Sequence, residues 1–402
     1  MTKIQSCRLC ESTNLSESVF FQNQFLNDFV ERGNVRNRLR VPIELVQCCD
    51  CSLVQQSYTA PADQLYRTYW YRSGVTNTMQ NQLREIVSAA ESEITAESGD
   101  VFLDIGANDG TMLSFVSDRY VRVGVDPAEN LRGSLEENSD VAITDYWGPH
   151  ILDQLIKLGH SKPKVITAIG MFYDLEKPVE FVQAISDSLA ESGVFISQLM
   201  TLEPMLDTND LGNLCHEHIE FYTYESLVYL FETCGLEIYK VEENPTNGGS
   251  YRIFSRHLKS GSINYGRSVS IGDVKAFKAR LDLIKADLRE SLEKIKARGL
   301  EVHGLGASTK GNTILQYLEI GPDDLQCISE RSPEKYDLFT VGTGIPILSE
   351  ADSRSLNPDY YLILPWAFTA EIMEREKEFL LRGGGIIHLF PEFRVDGLDV
   401  AI

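Results

Sequence analysis

No apolar run in this sequence approaches the roughly 18–20 residues needed to cross a bilayer, so no membrane-spanning helix is expected. Basic residues are scarce: 37 Lys and Arg stand against 59 Asp and Glu, a net charge of −22. Such an excess repels phosphate backbones, which argues against nucleic acid as a partner; any bound phosphate needs a local basic pocket. The start, MTKIQSC, lacks the charged-then-apolar layout of an export signal, and a cytoplasmic location is expected. Solenoid repeats and long low-complexity linkers are also missing. What remains is a chain of 402 residues, 43% hydrophobic, long enough for two or three domains and a sizeable core. Its eight cysteines, without an export signal, favour metal or free thiols over disulfides.

Four of those cysteines form two C-x2-C pairs, Cys7/Cys10 and Cys48/Cys51, with Cys49 inside the second. Four thiolates suit tetrahedral zinc. Cys48 is preferred to Cys49 because it keeps the spacing. A closed four-sulfur site has no open position, so this zinc is expected to fold residues 1–72 and not to catalyse.

The segment Val101–Gly110, VFLDIGANDG, reads as a buried strand running into an acid and a glycine turn. A second strand then ends in Asp126-Pro127, the acid lying 22 positions after Asp104. This is the layout of a nucleotide-binding βαβ unit, with an acid placed for ribose hydroxyls. The spacing alone admits S-adenosylmethionine (SAM), NAD or a merely structural turn. The pattern G-x-G-x-x-G is absent, and the turn carries acids, which suit an ammonium better than a pyrophosphate. SAM is therefore the expected cofactor. Asp104 is assigned to its amino-acid end and Asp126 to the ribose, with Gly106, Asn108, Asp109, Gly110 and Pro127 forming the cradle. Asn108 tolerates positive φ, so it can stand in for a glycine. Phe172 and Asp145–Trp147 are adenine-pocket candidates, with a core role the competing reading.

Strands are predicted at Val101–Asp104, Val121–Val125, Val165–Ile169, Val194–Leu199 and Ser250–Ser255. Helix-length stretches between them imply a mainly parallel sheet. Val274, Phe277, Leu281, Ile284, Leu288, Leu292 and Ile295 then recur at helical spacing, with Gly299 as a stop. A second α/β unit follows, with strands at Val302–Leu305, Tyr360–Leu364 and Ile386–Phe390 and helices through Thr313–Leu318 and around Ala370–Leu381. Cys215-His216-Glu217-His218 admits three readings: a metal site lacking a third ligand, a general base, or a surface turn. The base is preferred, since proton abstraction beside a carbonyl suits an imidazole tuned by a neighbouring acid. The turn Gly304-Leu305-Gly306-Ala307-Ser308-Thr309-Lys310-Gly311-Asn312 opens a helix and suits a diphosphate, or is simply structural. Asn247-Gly248-Gly249-Ser250 reads as a turn before a strand.

In this order, the features resemble the three-region sugar-nucleotide C-methyltransferases of tetronitrose, mycarose and noviose pathways. Tyr69-x-Tyr71-x-Ser73-Gly74, Gly342-Thr343-Gly344-Ile345-Pro346 and Leu364-Pro365-Trp366 add to the likeness. The resemblance implies a class I SAM methyltransferase (Rossmann-like) core over residues 73–262. A small zinc-binding region precedes it, and a second Rossmann-like domain, over residues 263–402, binds the nucleotide sugar. It implies methylation at C3 of a 4-keto-deoxysugar, commonly on dTDP, through an enolate. His218 resembles the base, Glu217 its support, and Tyr71 a group near the sugar; His216 is carried with them. Tyr69, Ser308, Lys310 and Asn312 are assigned to substrate. The pattern departs at Cys215, where some members have Tyr, and at Asp174, where many have His. O- or N-methylation of a nucleotide sugar, a vestigial zinc-bearing scaffold and an NAD-linked sugar oxidoreductase are the alternatives. The expected assembly is a monomer or weak homo-oligomer.

Overall fold

A computed structural model describes residues 1–61, 64–65 and 77–397. The expectations on Tyr69, Tyr71, Ser73 and Gly74, and the boundary at 72/73, lie outside the described residues.

The first region builds a small antiparallel sheet from β1 (Val19–Phe25), β2 (Arg40–Gln47) and β3 (Val54–Gln56). The central region opens with α1 (Asn77–Glu93). Its strands are β4 (Asp100–Ile105), β5 (Tyr120–Val125), β6 (Val141–Ile143), β7 (Val165–Ile169) and β8 (Val194–Leu199). The short β9 (Glu220–Phe221) pairs with β3 of the first region instead. A long antiparallel hairpin, β10 (Leu236–Asn244) and β11 (Ser250–His257), completes the central sheet. The seven-stranded order is β10-β11-β8-β7-β4-β5-β6, parallel except where β11 lies antiparallel between β8 and β10.

The strands read as continuous apolar runs because both faces are covered. Phe102 packs beneath Leu83, Ile86, Val87 and Ala90 of α1, while Leu103 and Ile105 join the core on the other face. This alternation sends successive β4 residues to opposite sides and leaves the strand ends to carry chemistry.

The third region starts with α2 (Ile271–Ala297), capped by a reciprocal pair between Ser270 and Asp273. All seven residues of its predicted stripe are buried. They join Phe21 and Ile43 of the first sheet to Tyr360 and Leu362 of the last, so the helix is a spine between two regions. Gly299 follows it at φ +73°. The last sheet holds β12 (Val302–Leu305), β13 (Ile328–Glu330), β14 (Ile347–Ser349), β15 (Tyr360–Ile363), β16 (Gly385–His388) and β17 (Arg394–Asp396). It runs β14-β13-β12-β15-β16-β17, parallel up to the edge strand β17. Helix α3 (Thr309–Leu318) follows β12. The helix expected around Ala370–Leu381 is two short ones, Thr369–Arg375 and Lys377–Leu381, separated at Glu376, which is buried against Arg354. The regions interlock: Phe29–Val30 of the first pairs with Phe339–Thr340 of the third. Among the described residues no helix is long and apolar enough to cross a membrane.

Candidate active site

The sulfurs of Cys7, Cys10, Cys48 and Cys51 lie within 4.8 Å of one another. Cys7 and Cys51 are 3.5 Å apart, Cys10 and Cys48 3.4 Å. Zinc–sulfur bonds of about 2.3 Å give a tetrahedron with edges of about 3.8 Å, so the set fits the metal. Backbone N–H groups of Leu9 and Asp50 donate to Cys7 and Cys48 at 3.4 and 3.5 Å, as thiolates require. Cys49 is exposed, outside the cluster. Among the described residues His216 and His218 belong to no such group.

One cavity of about 950 Å³ is walled by all three regions. Its cofactor wall is the turn after β4. Gly106 and Gly110 take φ +72° and +76°, and Asn108 takes φ +55°, the left-handed conformation expected of it. Asp104 is buried, and the Thr167 hydroxyl donates to it at 2.7 Å. Burial pushes its pKa up to about 8, opposed by that hydrogen bond and aided by Asp126. Asp126 accepts the Asn108 and Ala128 N–H groups, both at 2.8 Å, which ties the turn to the end of β5. Asp104, Gly106, Asn108, Asp126 and Pro127 line the cavity, as do Asp145 and Trp147. Gly110 supports the turn from behind: an added Cβ would stand 2.8 Å from Asn138 Cβ and 3.3 Å from Leu135 Cα. Gly110→Ala should therefore lose about 1–3 kcal/mol, read as a lower urea midpoint.

The histidine segment forms a second wall. His218 faces the cavity, and its ring packs against Tyr173 at 4.2 Å. Its Nδ1 lies 3.2 Å from the Asn213 carbonyl. A carbonyl only accepts, so Nδ1 carries the proton and Nε2 keeps its lone pair. Burial and the Lys310 charge push the pKa of His218 down to about 3, against the Asn213 bond. Burial raises Glu217, opposed by hydrogen bonds from its own backbone, Cys215 and Asn27. Burial, with the charges of Glu217 and Glu220, raises Asp174 well above the carboxylate range. The first region holds this segment from outside: Gln56 Nε2 donates to the Cys215 and His218 carbonyls at 2.7 and 2.8 Å.

The third wall is the turn after β12. Ser308 caps α3 by accepting from Gly311 N–H at 3.0 Å, and Ser308, Thr309 and Lys310 line the cavity. An acid ties this turn as Asp126 ties the first. Glu330, at the end of β13, accepts Ala307 N–H at 2.6 Å and Ser332 N–H at 2.9 Å.

Three family models match the chain in order. A zinc binding domain covers residues 7–66, a methyltransferase domain 75–241 and a C-methyltransferase C-terminal domain 245–391. The C-methyltransferase NovU of Streptomyces niveus is 27% identical over 407 residues, covering 98% of this chain and 97% of its own length. The chain is a C-methyltransferase of the three-region family. Among solved structures, magnesium protoporphyrin IX methyltransferase of Synechocystis PCC 6803 with bound SAM is 12% identical. It covers 48% of this chain and 89% of its own, at TM-score 0.35. The plantazolicin methyltransferase BpumL with SAH is also 12% identical, covering 44% and 82% at TM-score 0.34.

This C-methyltransferase takes SAM as cofactor and zinc in its four-cysteine cluster. Several of its expected site residues stand elsewhere. Phe172 is fully buried among Phe181, Phe231 and Tyr222, at ring distances of 5.5–5.9 Å, so it is core and not adenine wall. Its neighbours Met171, Tyr173 and Asp174 line the cavity instead. His216 points away from the cavity, its Nε2 3.0 Å from the Val41 carbonyl, and burial pushes its pKa down to about 4. Asn312 faces the first region, donating to the Asp28 carbonyl at 2.7 Å. Asp109 is behind the turn, accepting from Thr111 N–H and hydroxyl at 3.1 and 2.6 Å. Sequence reasoning missed Asn213, Tyr173 and Glu330. Only Glu330 had a signal: it ends the strand after the second glycine turn, 26 positions after Gly304, where Asp126 stands 22 positions after Asp104.

Proposed function

We propose that the methyl acceptor is C3 of a nucleotide-linked 4-keto-deoxysugar, with dTDP the expected nucleotide. What supports this most is that a single cavity joins the acid-bearing turn after β4 to the Lys310 turn after β12, with an unprotonated imidazole nitrogen in its wall. The third region offers a helix N-terminus and an ammonium, groups that suit a diphosphate. A sugar C–H carbon is a poor nucleophile until an adjacent ketone makes it acidic. His218 takes the C3 proton at Nε2, the electron pair delocalises onto the C4 oxygen, and C3 then attacks the methyl carbon in line as the sulfur leaves. Holding both partners in one cavity supplies the proximity. Glu217 and Asp174, raised toward their neutral forms, can donate hydrogen bonds as charge develops.

Asp104 binds the cofactor's ammonium in this account. Its carboxyl, at about 8, is mostly protonated at pH 7 without cofactor. The ammonium favours the ionised form, so SAM binding should release close to one proton per molecule at pH 7 and tighten as pH rises toward 8. Titration calorimetry in buffers of different ionisation enthalpy measures this; Asp104→Asn should abolish the release. The function itself is tested with 13C-methyl SAM and a dTDP-4-keto-6-deoxyhexose. A carbon-bound methyl on C3 is expected. An O- or N-methyl signal from such a sugar would contradict it.

A further inference from the structure

We propose that Asp210 is a positioning residue through which the third region sets the base: Trp366 and Lys310 hold Asp210, and Asp210 holds the turn whose carbonyl orients His218. This rests on the assignment of His218 as base. Asp210 is 1% exposed, so its carboxylate depends on protein donors. Within its own loop it accepts Gly212 N–H at 3.2 Å and the Asn213 side-chain amide at 2.9 Å. From the third region it accepts the Trp366 indole N–H at 3.1 Å, and the Lys310 ammonium lies 3.8 Å away. Asn213 is thus held at two points. Its amide is fixed by Asp210, and its carbonyl faces Nδ1 of His218.

Two sequence motifs without another role converge here. Trp366 ends the Leu364-Pro365-Trp366 stretch. Gly248, of the Asn247–Ser250 turn, sits at φ +97° where an added Cβ would come within 2.5 Å of the Trp366 ring and 3.0 Å of Asp210 Oδ2. Gly212 would place a Cβ 2.9 Å from Lys310 Cβ and 3.2 Å from Asp210 Oδ1. Both glycines exist at a spacing that leaves no room for a side chain between the domains. Loss of Trp366 or Asp210 therefore frees the Asn213 carbonyl, and the imidazole loses the acceptor that fixes its proton on Nδ1.

The test uses the full-length enzyme with 15N-labelled histidine, the His218 resonances being those absent from His218→Gln. Trp366→Phe keeps the ring and deletes the donor; Asp210→Asn keeps the shape and reverses one pole. The wild type should show the Nδ1–H tautomer. Both variants should show a tautomer mixture and a roughly tenfold or greater fall in deuterium exchange at C3 of the keto sugar, with SAM affinity unchanged. An unaltered His218 tautomer in a folded Trp366→Phe and Asp210→Asn pair overturns the proposal, whatever happens to the rate. A tautomer that responds while His218→Gln exchanges at the wild-type rate leaves the link intact and removes His218 as base, so the two failures are told apart.

Discussion

His218→Gln lowers methyl transfer by about 10²–10⁴-fold, the usual worth of a positioned base, with SAM affinity unchanged. The imidazole is held with its proton on Nδ1 by the Asn213 carbonyl, and Nε2 is left basic. Burial and Lys310 push its pKa down to about 3. It is therefore neutral over the whole working range, and the pH profile of kcat/KM should show no acid limb near the ordinary histidine value of about 6.5. An imidazolium in this wall is poorly solvated on its own. It is formed only beside the enolate, whose negative charge is its counter-ion, so the proton moves when the ketone is in place. Glutamine keeps the ring's approximate reach and a hydrogen-bond donor but has no basic nitrogen. A loss confined to kcat assigns the group to the chemical step.

Removing zinc has the second large effect. Structural zinc sites contribute on the order of 10–16 kcal/mol of binding free energy that is also folding free energy. Here the cost reaches the active site by a short route. The second cysteine pair immediately precedes β3, which pairs with β9 just past His218. Gln56, the last residue of β3, holds the Cys215 and His218 carbonyls, and Asn27, Asp28 and Arg38 of the same region line the cavity. Cys48→Ser, or prolonged chelation, should abolish turnover and lower the melting temperature, whereas Cys49→Ser should change neither. Metal content by mass spectrometry, followed against activity, measures it. Full activity in zinc-free protein would contradict the coupling.

Much of this architecture was legible from residue order. The strands around Asp104 and Asp126, the α2 stripe and the four cysteines are local patterns: continuous apolar runs, helical spacing and fixed ligand intervals. The cavity-lining turns were legible for the same reason, since glycines and acids mark them directly. What escaped were the directions of side chains. Phe172 and Tyr173 are adjacent and both buried, and nothing in the sequence says which one reaches the cavity. His216 and His218 stand on either side of a tight turn, so one binds Val41 and the other faces the cavity. The β10 strand was unassigned because it pairs only with its hairpin neighbour β11, a tertiary choice that its charged sequence conceals. Asn213 carried no motif at all; it acts through a backbone carbonyl, which every residue possesses, and a side-chain amide held by Asp210.

The central claim is that a C–H bond beside a sugar ketone is ionised before any methyl moves. Incubating the zinc-loaded enzyme in D2O with a dTDP-4-keto-6-deoxyhexose and no SAM, and following the C3 proton by NMR, tests it most directly. The signal should vanish at a rate that His218→Gln reduces by at least about a hundredfold. A C3 proton that persists across a panel of such sugars, under conditions where methyl transfer to the same sugars proceeds, would contradict the account.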